Sequence, residues 1–103
     1  MRVKRIDDDS GFQEQVYAYT GRFLKVRRYD AGLSGCELGI LMSLSQQQIS
    51  RYENGKTKMT VDMLMRFFRA LRLKPHEVEF FFSGLLEIYK NESFDLNIRT
   101  VFC

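Results

Sequence analysis

The sequence has one histidine, one proline, two cysteines and no long uninterrupted apolar run. Each scarcity removes a class of function. The lone His76 stands beside Pro75 at an expected helix start, which suits a surface residue better than a catalytic base. No Cys–His–acid constellation occurs at useful spacing, and no glycine-rich phosphate loop, so the usual signatures of an enzyme are missing. Cys36 and Cys103 form no metal-ligand pattern, and both read as reduced and incidental. The residues call for no metal, no other cofactor and no small-molecule ligand. The most apolar segment, VEFFFSGLLEIY, is short and carries two glutamates, so no membrane span is expected. The opening MRVKRIDDDSGF starts basic but turns acidic where a secretory signal needs an apolar stretch. Cytoplasmic residence is the expectation.

What is present suits one small folded domain. The 103 residues are 45% hydrophobic and include nine Phe, enough for a compact core. The net charge of +3 is modest, but its distribution is not. Residues 22–74 hold eleven Lys or Arg against four Asp or Glu, while both flanks are mildly acidic. A basic centre favours polyanions and speeds encounter with them.

Periodicity predicts five helices and no convincing central strand. The first spans 12–31, with Val16, Thr20, Phe23, Leu24 and Arg27 at helical spacing and Gly32 placed to end it. The second spans about 35–42, with Leu38 and Leu41 as core contacts and Gly39 facing the next helix for close approach. The third spans 46–54 and stops at Gly55. A basic loop, KTKMT, leads to Thr60, which caps a fourth helix over 61–72. Val61, Leu64, Phe67, Phe68 and Leu71 form its apolar stripe. Pro75 suits the first turn of a fifth helix, expected to reach about Lys90. Residues 91–103 are left as a tail: short strand, loop or arm.

The segment Ser34–Asn54 is the most informative. Ser34 precedes Glu37 by three residues, and Ser45 precedes Gln48 by three. Each pair fits a capping box, in which a Ser oxygen and an acid or amide side chain satisfy the free N–H groups of a helix start. Two helix starts eleven residues apart leave about two turns and a short bend, the spacing of a helix-turn-helix. At about 100° per residue, Ile49, Tyr52 and Glu53 share one side of the second of these helices. Gln47, Ser50, Arg51 and Asn54 share the other, with Gln46 at the tip. Gln and Asn side chains pair bidentately with adenine, and Arg with guanine. A solvated polar face would look the same on composition alone.

Residues 22–78 resemble the Cro/C1-type helix-turn-helix family of bacterial and phage DNA-binding regulators. The match lies in Gly32-Leu33-Ser34, Glu37-Leu38, Ser45-Gln46-Gln47, and Ile49 through Gly55, followed by Lys56-Thr57-Lys58 and the apolar fourth helix. The SQQQISRYENG core also looks like small regulators encoded with enterobacterial fimbrial operons, some of which repress flagellar genes. The resemblance implies an all-α, five-helix, lambda-repressor-like domain over 12–90, with an N-terminal arm (1–11) and the 91–103 tail as extensions. It implies base reading by Gln46, Gln47, Ser50 and Arg51, and backbone contacts from Ser45, Asn54, Lys56, Thr57 and Lys58. It also implies a buried ion pair between Arg28 and Glu53. Three positions depart from the family: Gly35 where Gln is common, Ser43 where Gly makes the turn, and Arg51 where an uncharged residue is common.

Phe80, Phe81 and Phe82 cannot all face one core, because successive helical residues diverge by about 100°. With Leu85, Leu86 and Tyr89 they supply surplus apolar surface, and Phe80, Phe81, Leu85 and Tyr89 are the expected homodimer contacts. The competing reading covers that surface with Phe12, Tyr17 and Tyr19 of the same chain. The functional expectation is a homodimeric repressor of double-stranded operator DNA. An antitoxin that also binds a partner toxin is the alternative.

Overall fold

The structure is a computed structural model that describes residues 10–102, with side chains described for 11–91. Residues 1–9 of the expected arm, the tail's side chains beyond residue 91, and Cys103 lie outside it. Among the described residues there are five helices and no strand: α1 (Ser10–Asp30), α2 (Gly35–Met42), α3 (Gln46–Glu53), α4 (Val61–Ala70) and α5 (Pro75–Phe102).

The three expected caps form. Ser34 and Ser45 each accept from the backbone three residues on, and Glu37 and Gln48 each reach back to the cap N–H. Thr60 accepts from the Met63 N–H at 3.2 Å. The first four helices all end in the same way. Leu33, Leu44, Lys56 and Leu73 donate to the carbonyls of Arg28, Gly39, Arg51 and Phe68, each across a left-handed residue. This is the Schellman turn, which satisfies carbonyls that the helix end leaves open. Gly32 and Gly55 fill two of the left-handed positions at no steric cost. Ser43 (φ 56°) and Arg72 (φ 54°) fill the others, where a Cβ costs about 1–2 kcal/mol.

The core draws on all five helices. Phe23 and Leu24 of α1, Leu38 and Met42 of α2, Ile49 of α3, Leu64, Phe67 and Phe68 of α4, Leu71 beyond it, and Phe81 of α5 are buried together. Phe81 is the hub of the aromatic part. Its ring lies 5.0 Å from Phe23, 5.4 Å from Phe68 and 5.4 Å from Tyr19. Each such pair adds about 0.5–1.5 kcal/mol beyond its area. The Tyr19 hydroxyl also donates to the Phe81 carbonyl at 2.8 Å. Burial pushes the Tyr19 phenol up from its ordinary range.

Two glycines set how closely the helices approach. A Cβ on Gly39 would stand 2.5 Å from the Leu44 carbonyl oxygen, in the turn between α2 and α3. A Cβ on Gly21, inside α1, would collide with the carbonyls of Tyr52 and Glu53 at the end of α3. Ordinary side chains at these sites would force α3 outward.

The structure corrects four expectations. Leu41 is 60% exposed, and Met42 takes its place in the core. Leu38 and Met42 are four apart, and that pairing follows the inward arc of this short helix. Leu41 instead lines an open cleft of about 490 Å³ with Leu33, Leu71 and Arg69. Val61 is 77% exposed, because α4 turns its first residue away from the core. The fifth helix does not stop near Lys90 but continues to Phe102. Phe81 is fully buried within its own chain, so it is no dimer contact.

Candidate nucleic-acid interface

The short helix α3 is anchored on one side and open on the other. Ile49 and Glu53 are buried, and Tyr52 packs edge-on against Phe67 with centroids 5.5 Å apart. Glu53 brings a charge inward, and Arg28 of α1 meets it. Arg28 Nε donates to Glu53 Oε2 at 2.7 Å, and Nη2 donates to Oε1 at 3.0 Å. The third arm, Nη1, donates to the Leu33 carbonyl at 2.9 Å. The hydrogen bonds to Glu53 hold the Arg28 guanidinium above its already high range, against the opposing effect of burial. One buried fork therefore ties α3 to α1 and to the residue just before the α2 cap.

The outer side carries Gln46, Gln47, Gln48, Ser50, Arg51 and Asn54, all exposed. The sequence-expected base-reading residues thus share one open face, and Lys56 and Lys58 follow in the adjoining loop, also exposed. Several of these polar groups are already paired with each other. Gln48 Oε1 accepts from the Ser45 N–H at 2.8 Å, which turns its amide NH2 outward. Asn54 Nδ2 donates to Ser50 Oγ at 3.3 Å, so the Ser50 hydroxyl keeps its own proton to offer. Arg51 Nε donates to Thr57 Oγ1 at 3.3 Å, which leaves the two terminal nitrogens as a forward fork. The half-buried Thr57, expected as a backbone contact, therefore also touches a base-reading candidate. Gly35 sits beside the first glutamine, since a Cβ there would lie 3.5 Å from Gln46 Cγ. The position where the family often carries a supporting Gln is thus adjacent but bare.

Two contributors escaped the sequence reading. Arg66 of α4 donates through Nη2 to the Met42 carbonyl at 2.6 Å, capping α2 from outside. Nothing in the local sequence marks it, because the acceptor lies 24 residues away. Gly21 was legible in principle: a glycine inside a helix costs about 1 kcal/mol against Ala and so asks for a packing reason.

The residues expected at a dimer surface do not lie together. Phe80 is 64% exposed and Tyr89 is 60% exposed, but nine residues at about 100° each put them on opposite sides of α5. Leu85 is only partly buried and packs against the core. The intrachain alternative holds in part, since Tyr19 covers Phe81. Cys36 is exposed and free. Among the described residues, no helix is long and apolar enough to cross a membrane, and no three metal-ligating side chains gather.

The helix-turn-helix domain family matches residues 20–81, which span α3 and everything that holds it. Among solved structures, the chain is similar to the clp gene regulator ClgR from C. glutamicum. The TM-score is 0.60 at 23% identity, covering 67% of this chain and 88% of that one. At that identity the likeness is one of fold. No curated protein matches.

Proposed function

The chain belongs to the helix-turn-helix domain family, and from that premise we propose that it is a sequence-specific regulator of transcription that binds double-stranded DNA. It reads the major groove with α3 and acts as a homodimeric repressor in the bacterial cytoplasm. The observation that carries this reading is the division of α3: a core-locked side of Ile49 and Glu53 against an open side of amides, Ser50 and Arg51. A helix in the major groove touches base edges first through its N-terminal residues, here Gln46 and Gln47.

Three contributions follow from the chemistry. The loop cations Lys56 and Lys58 neutralise phosphates and release counterions, so affinity falls steeply with salt. Ser45, Asn54 and Thr57 contact the backbone and set the register. Gln46, Gln47, Ser50 and Arg51 read bases, at about 1–3 kcal/mol for each good bidentate pair. A two-fold dimer places two such helices about one DNA turn, ~34 Å, apart. A protein seated on a promoter excludes polymerase from the same DNA, which is how repression would follow from binding alone. Promoters of fimbrial and flagellar genes are the first targets to try, from the resemblance of the SQQQISRYENG core.

The test is selection of bound fragments from genomic DNA followed by footprinting. It should return a site with two half-sites about one turn apart. Gln47→Ala should weaken binding to that site about 5–100-fold more than to random duplex, while Lys58→Ala should weaken both alike and flatten the salt dependence. Equal loss on both duplexes for Gln47→Ala removes it from the reading set. No duplex preference at all for the wild type ends the proposal.

A further inference from the structure

The open cleft beside Leu41 combines two chemistries. Leu33, Leu41 and Leu71, with two alanines, line it together with Arg69 and Arg72. No carboxylate lines it. Asp30, which precedes one of those alanines in the chain, is engaged by Arg27 at 3.4 Å. Among the described residues, neither the Arg69 nor the Arg72 side chain has an ion-pair partner. Both are exposed, and so is Leu41. Arg72 is the more telling of the two. It takes the left-handed position after α4 (φ 54°), where Gly32 and Gly55 serve the same kind of turn without strain. Strain of this sort gathers at binding and switching sites. A turn that asks only for a left-handed backbone thus carries a charged side chain to the edge of an apolar cleft.

We propose that this cleft docks an acidic segment of a second protein, one that presents a leucine-sized side chain between carboxylates. The leucines take the apolar side chain, and each guanidinium offers a fork that matches a carboxylate. Charge selects the occupant. Two guanidiniums with no acid beside them repel a basic segment and leave a neutral one without a polar anchor. A nucleic acid brings phosphates but nothing apolar for the three leucines. A small anion would keep much of its surface in water here, whereas small-molecule sites bury most of what they hold. A segment of a larger partner adds contacts beyond the cleft and does not need enclosure. No residue of α3 or of the 54–58 loop lines the cleft, so the two surfaces are separate. The docking site therefore goes beyond the DNA reading and does not depend on it.

The test titrates the isotope-labelled full chain with a short capped peptide of glutamates around a central pair of leucines. Backbone amides of Leu33, Leu41, Leu71 and Arg72 should shift and saturate below about 1 mM. The same peptide with serines for its leucines, or lysines for its glutamates, should leave them unmoved. Leu41→Asp should abolish the shifts with unchanged far-UV circular dichroism, and Arg69→Glu should weaken binding about tenfold. Arg72→Gly separates binding from stability: it should raise Tm, because the strain goes, and still weaken binding about fivefold. Four results overturn the docking site: no shift at the cleft, shifts confined to Lys56 and Lys58, a serine peptide that binds as well, or an Arg72→Gly protein that binds as tightly as wild type. Footprinting keeps the two claims apart. Leu41→Asp should protect the same DNA as wild type, and a wild type without duplex preference that still binds the peptide ends the DNA reading alone.

Discussion

Replacing Glu53 with Leu tests the physical basis of the whole arrangement. The change removes both acceptors of the Arg28 fork, at 2.7 and 3.0 Å, and leaves one bond from Nη1 to the Leu33 carbonyl. Arg28 is only 7% exposed, so its guanidinium would stand charged and mostly unpaired inside the domain. Breaking a buried pair in this way costs about 3–5 kcal/mol. A domain of this size holds about 5–15 kcal/mol in total, and each kcal/mol moves Tm by about 4–8 °C. Glu53→Leu should therefore lower Tm by at least about 12 °C in far-UV circular dichroism. Arg28→Leu combined with Glu53→Leu should recover most of the loss, because apolar replacement of both partners is often neutral. A single variant within about 3 °C of wild type would refute the claim that the fork is buried and mutually dependent. So would a double variant no more stable than the single.

Three further outcomes follow from other contacts. Gly21→Ala should destabilise the domain by about 1–3 kcal/mol in denaturant titration, since its methyl collides with the Tyr52 and Glu53 carbonyls; an unchanged midpoint would remove the close approach of α1 and α3. Thr57→Val removes the oxygen that holds Arg51 Nε and, on the proposed reading, should cost discrimination at the base pair assigned to Arg51, with Thr57→Ser restoring it; uniform loss across all duplexes would make Thr57 a phosphate contact alone. The Ser34 backbone N–H, and then its hydroxyl, hold the Glu37 carboxyl below the usual range, while the Thr60 hydroxyl does most of this for Asp62. A depressed carboxylate stabilises the fold fully above its unfolded pKa and loses that contribution as pH falls through the folded value. The Tm gap between wild type and Glu37→Gln should accordingly be open at neutral pH and close in acid. A gap independent of pH would place the Glu37 contribution elsewhere.

Local chemistry made most of the scaffold readable, and tertiary choice made the rest opaque. Ser34, Ser45 and Thr60 act on atoms within three residues, so their caps could be read directly. The Arg28–Glu53 pair was reachable only through family resemblance, because its partners are 25 residues apart. Leu41 and Met42 differ by one helical step, and both are apolar; only the position of α4 decides which is buried. The same holds for the run Phe80-Phe81-Phe82. One ring becomes the hub of the core, one packs edge-on against that hub at 5.2 Å, and one is 64% exposed. The division of α3 was legible because its polar and apolar residues are segregated by type. The links from Asn54 to Ser50 and from Arg51 to Thr57 were not, since each depends on side-chain rotamers.

The bidentate fork beneath α3 has one more consequence. A helix bolted to its neighbour by two short bonds, from a guanidinium itself held by a third, has little freedom to tilt or slide toward an imperfect groove. On the proposed reading, compliance then belongs to the duplex. Steps that kink or narrow easily will dock at low strain, and stiff ones will resist. Nucleotides that no side chain reaches would thereby acquire a vote in where the protein settles.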